Sequence, residues 1–213
     1  MTSSRETVLG RVRAGLDGVA GEMKSGYVGL ERHYRQTGSL GAAEKLALMV
    51  ERLREYDAEV VECPANGLHE TVAQQIAGSG RRILAAPAGL PRSWLAEGVD
   101  WRIDHDLSHD DIEIADGVVT SSFCGIAESG TIVLHHSPAE GRRVLTLLPD
   151  WHLCVLHASQ VVETLPEYFA RCAESPKLAT YISGPSATAD IEMTRIKGVH
   201  GPRFLSVVLA RDE

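Results

Sequence analysis

From Asp57 onward, short apolar runs alternate with helical segments, and this alternation restricts the fold more than any other feature of the chain. AEVVEC (58–63) reads as a strand, GLHETVAQQIAG (67–78) as a helix and RRILAAP (81–87) as a strand. A strand, a helix and a second strand in that order require a crossover connection, which predicts a parallel sheet. The middle of the chain breaks this rhythm. DGVVTSSFCGIAESGTIVLHH (116–136) and RVLTLLP (143–149) read as consecutive strands joined by turns, so the sheet is expected to include antiparallel pairs. WHLCVLHASQVV (151–162), a helix near Glu163 to Ala173, the strand LATYIS (178–183), a polar loop and the closing strand FLSVVLA (204–210) complete the order. The fold class is α/β, with a mixed, mostly parallel sheet flanked by helices.

The first 56 residues read differently. Ser3 with Glu6 three residues on forms a capping-box pattern, and Val8, Leu9, Val12 and Leu16 follow at helical spacing. A polar stretch from Gly18 to Gly38 leads to GAAEKLALMVERLREY (41–56), whose Leu46, Met49, Val50 and Leu53 share a helical face. Residues 1–56 therefore read as a helical arm that packs on a body formed by residues 57–213, and no repeat or low-complexity tract interrupts either part.

Bulk properties exclude several classes of function. With 29 acidic against 21 basic residues the formal charge is -8, which opposes binding a nucleic acid by charge. No stretch approaches the roughly 20 apolar residues that span a bilayer, and the first 20 residues hold no long apolar block, so a cytoplasmic chain without a signal peptide is expected. Cys63, Cys124, Cys154 and Cys172 are too scattered for a zinc site or an iron–sulfur cluster and read as reduced, mostly buried thiols.

Two segments stand apart from the scaffold. Gly125 to Thr131 (GIAESGT) puts Glu128, Ser129, Gly130 and Thr131 between apolar runs, either as a plain hairpin turn or as a site carrying an acid and two hydroxyls. Ser183 to Glu192 (SGPSATADIE) follows a strand directly, where open α/β sheets place ligand loops. There Ser186 or Thr188 caps a helical turn, with Asp190 and Glu192 complementing its dipole, or the free amides of that turn meet an anion. His200 lies in a glycine-flanked turn before Gly201 and the last strand, as a site residue or as a turn histidine bonded to the preceding loop. Other histidines read as decoys. His105 and His109 suit a solvated helix start more than a metal site, and His135 and His136 point to opposite faces of a strand. Trp94, Trp101 and Trp151 are too few and scattered to stack bases and read as core or contact residues.

GIAESGTIVL (125–134) and SGPSATADIEMTRIKGVHGPRFLSVVL (183–209) closely resemble, without gaps, the two hallmark stretches of the LUD-domain family, the second in its clusterless lactate-utilisation form. Much of the first 120 residues carries no assignable motif. The resemblance implies a fold similar to ribose-5-phosphate isomerase, glucosamine-6-phosphate deaminase and the coenzyme A transferases. It implies a part in oxidising L-lactate to pyruvate, with iron–sulfur clusters on separate partner subunits and no cofactor held by this chain alone. The positions matching the motifs are Glu128, Ser129, Gly130, Thr131, Gly184, Ser186, Thr188, Asp190, Glu192, His200 and Gly201.

Oxidising a 2-hydroxy acid needs a group to hold the carboxylate, a base for the hydroxyl proton and a redox centre. The loop at Ser186 and Thr188 is expected to supply the first and Glu128 or His200 the second, in one small-anion cleft formed by residues 125–131 and 183–201. The chain has no nicotinamide, flavin or cluster fingerprint for the third, so it reads as a subunit or accessory protein. The alternatives are a free-standing isomerase or transferase acting on a sugar phosphate or acyl-coenzyme A, and a structural partner-binding protein.

Overall fold

The computed structural model describes residues 3–16, 30–31, 33–172, 174, 176–188, 196–198 and 201–211. It divides into two units, Met1–Arg35 and Gln36–Glu213. In the first, helix α1 (Ser4–Leu16) begins at the expected capping box, with Ser3 N donating to Glu6 Oε2 at 2.8 Å and Glu6 N donating to Ser3 Oγ at 3.2 Å. None of its residues is buried. Most of the polar stretch between Gly18 and Gly38 lies outside the described residues.

The second unit is built on a six-stranded sheet in the order β1 (Glu59–Pro64), β12 (Phe204–Arg211), β7 (Trp151–His157), β4 (Gly117–Thr120), β2 (Ile83–Pro87), β3 (Asp100–Asp104). Every pairing in it is parallel. The central strands carry apolar residues on both faces because both are covered, as parallel sheets require. Helix α3 (Leu68–Ser79) makes the β1-to-β2 crossover and buries Leu68, Val72 and Ile76, at i, i+4 and i+8, on one face with Leu153, Val155 and Val208. It ends at Gly80, whose left-handed φ of 69° an L side chain would resist.

The expected antiparallel pairs form a separate four-stranded sheet on the opposite face. Its order is β8 (Val161–Val162), β5 (Cys124–Ile126), β6 (Thr131–Leu134), β9 (Thr180–Ile182), with β5–β6 and β6–β9 antiparallel and β5–β8 parallel. Alternation explains this layering. Ile132 and Leu134 face the large sheet, in a core with Leu156, Leu209 and Met49 and Leu53 of helix α2 (Ala42–Glu55). Cys124, Ile126 and Val133 face the other way, onto Tyr168 of helix α5 (Leu165–Arg171). Gly125 is required between the layers, since a Cβ there would stand 2.8 Å from Leu156 Cδ2.

Helix α2 sits across the ends of both motif segments. A Cβ on Gly130 would lie 2.7 Å from Arg52 Cβ, and one on Gly184 would lie 2.6 Å from Tyr56 Cβ. Both glycines also have positive φ, 59° and 85°. The lead-in to α2 is tied down as well. Gly38 N donates to Glu167 Oε1 at 2.9 Å and Leu40 N to Glu163 Oε2 at 2.7 Å.

Candidate functional site

Strand β9 ends at Ile182, and the turn Ser183-Gly184-Pro185-Ser186 leads the chain back toward the start of β12. Two backbone bonds hold it there: Ser186 N donates to Pro202 O at 2.8 Å, and Gly198 N donates to Ser186 O at 3.0 Å. Between them runs the short antiparallel pair β10 (Ala187–Thr188) and β11 (Ile196–Lys197). Asp190, Glu192 and His200 lie outside the described residues. Thr188 falls in β10, where the backbone is a strand and not a helical turn.

This turn walls a cavity of about 170 Å³. Gly184, Ser186 and Gly201 line it together with Ser183, Thr180, Arg143, Thr146 and His152. The cavity therefore lies against the face of the large sheet, near the start of β7 and β12. It is not at the carboxyl ends of the parallel strands, because β9 belongs to the second sheet and its end points elsewhere.

Arg143 is half-buried and supplies the positive charge. Its Nη1 donates to Thr146 O at 3.0 Å and to Thr146 Oγ1 at 3.1 Å, which fixes the guanidinium without neutralising it. Burial lowers its pKa from the usual value, and among the described residues no carboxylate opposes that shift. His152 is 1% exposed, and burial first, with the Arg143 charge second, pushes its pKa down to about 3, so the ring is neutral at physiological pH. Its Nε2 meets Thr120 Oγ1 at 2.7 Å.

The hydroxyl of Thr180 has a defined role through His136. The Gly141 carbonyl can only accept, so the 2.8 Å contact to His136 Nδ1 places the proton of the neutral ring on that nitrogen. In that tautomer His136 Nε2 accepts from Thr180 Oγ1 at 2.8 Å, and the threonine oxygen, whose residue lines the cavity, keeps its capacity to accept. The lining thus offers a cation, an acceptor and two serine hydroxyls. That combination suits a small molecule carrying a carboxylate beside a hydroxyl or carbonyl.

A model of the LUD domain matches residues 46–210. The chain belongs to the LUD-domain family. Over 180 residues it is 39% identical to the lactate utilization protein C of Deinococcus radiodurans, covering 83% of this chain and 84% of that one. It is 26% identical to the lactate utilization protein C of Bacillus subtilis across 98% of this chain and 97% of that one. A crystal structure of a DUF162 family protein from Deinococcus radiodurans is similar at a TM-score of 0.68 and 35% identity, covering 81% of this chain and 99% of that one.

In this LUD-domain chain the two motif segments meet through hydroxyls. Ser129 Oγ lies 2.7 Å from Thr131 Oγ1, and Thr131 Oγ1 lies 2.7 Å from Ser183 Oγ. Thr131 is buried under helix α2 while Ser129 and Glu128 are exposed, and among the described residues only the Ser183 end of this row reaches the cavity. Gly130 is taken up by the close approach of Arg52. Of the residues singled out in the sequence, Gly184, Ser186 and Gly201 line the cavity, while the 125–131 segment meets it only through the Thr131–Ser183 bond. Arg143, Thr146, His152 and Thr180 escaped sequence reading. Arg143 carried only a weak signal, a basic residue at the head of the apolar run VLTLLP, and His152 is an ordinary strand histidine until its neighbours are known.

The decoys resolve locally. His109 opens helix α4 (His109–Glu113), where Ser108 Oγ accepts from Asp111 N at 3.1 Å. His135 stacks on Phe123 at 3.7 Å between ring centroids, with Nε2 2.8 Å from Tyr168 Oη. Among the described residues no group of three histidine, cysteine or acidic side chains is placed to hold a metal ion, and no helix is long and apolar enough to cross a membrane. Burial raises the Cys124 and Cys154 thiols to about 11 and about 12.

Proposed function

We propose that this chain is a cytoplasmic component of L-lactate oxidation, working with separate iron–sulfur subunits, and that the Arg143 cavity holds the small hydroxy or keto acid. The observation that carries this reading is the pairing of a half-buried guanidinium with Ser183, Ser186 and the acceptor oxygen of Thr180 in a cavity of about 170 Å³. Arg143 takes the substrate carboxylate. Thr180 accepts from the substrate hydroxyl, and the neutral His152 keeps positive charge concentrated on Arg143. The names of the relatives, lactate utilization protein C, supply the choice of lactate among small acids of this shape, and pyruvate is its oxidation product.

Thermal unfolding with L-lactate, pyruvate, ribose 5-phosphate and coenzyme A tests it. A ligand at about 100 times its Kd stabilises the folded chain by roughly 2.7 kcal/mol. Stabilisation by lactate or pyruvate that Arg143→Met and Thr180→Val both remove is the expected result. Stabilisation only by the sugar phosphate or coenzyme A would turn the assignment toward an isomerase or transferase. No response to any of the four would remove the small-acid site.

A further inference from the structure

A second cleft adjoins the first. It has a volume of about 510 Å³ and lies where β2 and β3 end, between Pro87, Asp104 and the loop from His136 to Arg143. The carboxyl ends of parallel strands are the customary ligand position of open α/β sheets, and this volume falls within the range of roughly 300–1,000 Å³ that encloses organic ligands. Arg143 lines both cavities. The His136–Thr180 hydrogen bond forms part of the partition, since His136 faces the larger cleft and Thr180 the smaller.

The charges in the larger cleft are not equally available. Arg142 is engaged by Asp104 at 2.6 Å, by Asp106 at 3.2 Å and by the Leu107 carbonyl at 2.9 Å, so these three charged side chains satisfy one another. Arg143 is the cation that burial, with no opposing carboxylate among the described residues, leaves for a ligand. Pro87, Ala88, Pro138 and Leu178 provide an apolar wall. Two non-glycine residues in this lining have left-handed backbones, Asp106 with φ 94° and His136 with φ 59°. Such conformations are strained for an L side chain and gather at ligand sites.

We propose that this cleft is a second ligand site, for an organic molecule larger than lactate that sets one oxyanion on Arg143 and lays an apolar body against Pro87, Ala88, Pro138 and Leu178. The Asp104–Arg142–Asp106 group holds two carboxylates against one guanidinium, and this surplus of negative charge disfavours a polyphosphate and leaves Arg143 to take a single carboxylate or phosphate. Because Arg143 is shared, the two ligands meet across the His136–Thr180 partition. The site does not depend on the smaller ligand being lactate.

The test uses the full chain and the fluorescent monoanion 8-anilinonaphthalene-1-sulfonate. One saturable site is expected, weakened roughly tenfold, about 1.4 kcal/mol, by Arg143→Met, by Ala88→Trp and by Leu178→Glu. Ala88 and Leu178 are exposed, so the latter two variants keep the test decisive should Arg143→Met fail to fold. Ser186→Ala, in the smaller cavity, should leave dye affinity unchanged while lowering pyruvate affinity, which separates this proposal from the lactate assignment. Displacement by flavin mononucleotide identifies a phosphate as the anion, and displacement by 1-naphthylacetate a carboxylate. Dye binding indifferent to both Ala88→Trp and Leu178→Glu, or displaced by neither competitor, overturns the second site.

Discussion

Thr131 Oγ1 and Ser183 Oγ lie 2.7 Å apart, a hydrogen bond between side chains 52 positions distant in the chain. It joins strand β6 to the turn that walls the small cavity, and Ser129 extends it by a further 2.7 Å bond. The row fastens the Ser183 turn to the second sheet, so the geometry of the cavity depends on a buried hydroxyl that does not itself line it.

Thr131→Val keeps the shape of the side chain and removes both bonds. A loss of about 1 kcal/mol in urea unfolding is expected, together with weaker pyruvate binding because Ser183 is released. Thr131→Ser should retain most of both. Equal behaviour of the Val and Ser variants would show that the hydroxyl contributes nothing.

Gly184→Ala must fit a Cβ 2.6 Å from Tyr56 Cβ and 2.9 Å from Tyr56 O, at a φ of 85°. Helix α2 would have to move, so a cost above about 3 kcal/mol is expected. Gly80→Ala has a similar φ of 69° with nothing within 4 Å and should cost only the backbone preference, about 1 kcal/mol. Comparing the two by chemical denaturation separates crowding from conformation.

Burial holds His152 neutral down to about pH 3, whereas in the unfolded chain its pKa returns to the ordinary imidazole value of 6.5. Between those values the unfolded state binds the additional proton, so stability is complete above pH 6.5 and falls as the pH drops. This group contributes a slope of about 1.4 kcal/mol per pH unit. The window from pH 6.5 to 4.5 precedes the carboxylate titrations. Unfolding free energies measured there should fall less steeply in His152→Gln than in the natural chain, and parallel slopes would refute the assignment.

Burial pulls the Glu167 pKa upward, but the backbone N–H groups of Gly38, Thr164 and Glu163 outweigh it and hold the carboxyl below its ordinary value. Its stabilisation is therefore present above about pH 4.5 and lost as the pH falls through the lowered pKa. Glu167→Ala removes the reciprocal cap of helix α5 and releases Gly38. A cost of about 2 kcal/mol is expected, with faster proteolytic cutting at residues 36–41. Glu167→Gln should recover part of both, since its side-chain oxygen still accepts.

Much of the scaffold was legible because it is local. The Ser3–Glu6 cap, the Leu68, Val72 and Ile76 stripe, and the βαβ order each depend on residues a few positions apart. Helix Ala42–Glu55, read as part of an arm, lies within the larger compact unit, where Met49, Val50 and Leu53 join the main core. The antiparallel pairs were expected in one mixed sheet that took in RVLTLLP, but they form a second layer, and Arg143–Thr146 winds into a short 3-10 helix instead of a strand. A three-residue strand such as Cys124–Ile126 carries no record of which sheet its edges will meet.

What the sequence determined by itself was the alternation of strand and helix, hence a parallel sheet, and two segments whose glycines and hydroxyls mark special backbone and polar contacts. Only the tertiary structure decided which side chains share a cavity. Arg143, His152 and the Thr180–Ser183 pair come from three separate segments, and no period or spacing links those segments. Their chemistry is equally non-local: His152 is an ordinary imidazole until the packed sheet excludes water from it, and Arg143 is an ordinary surface cation until burial without a carboxylate partner makes its charge available to a ligand.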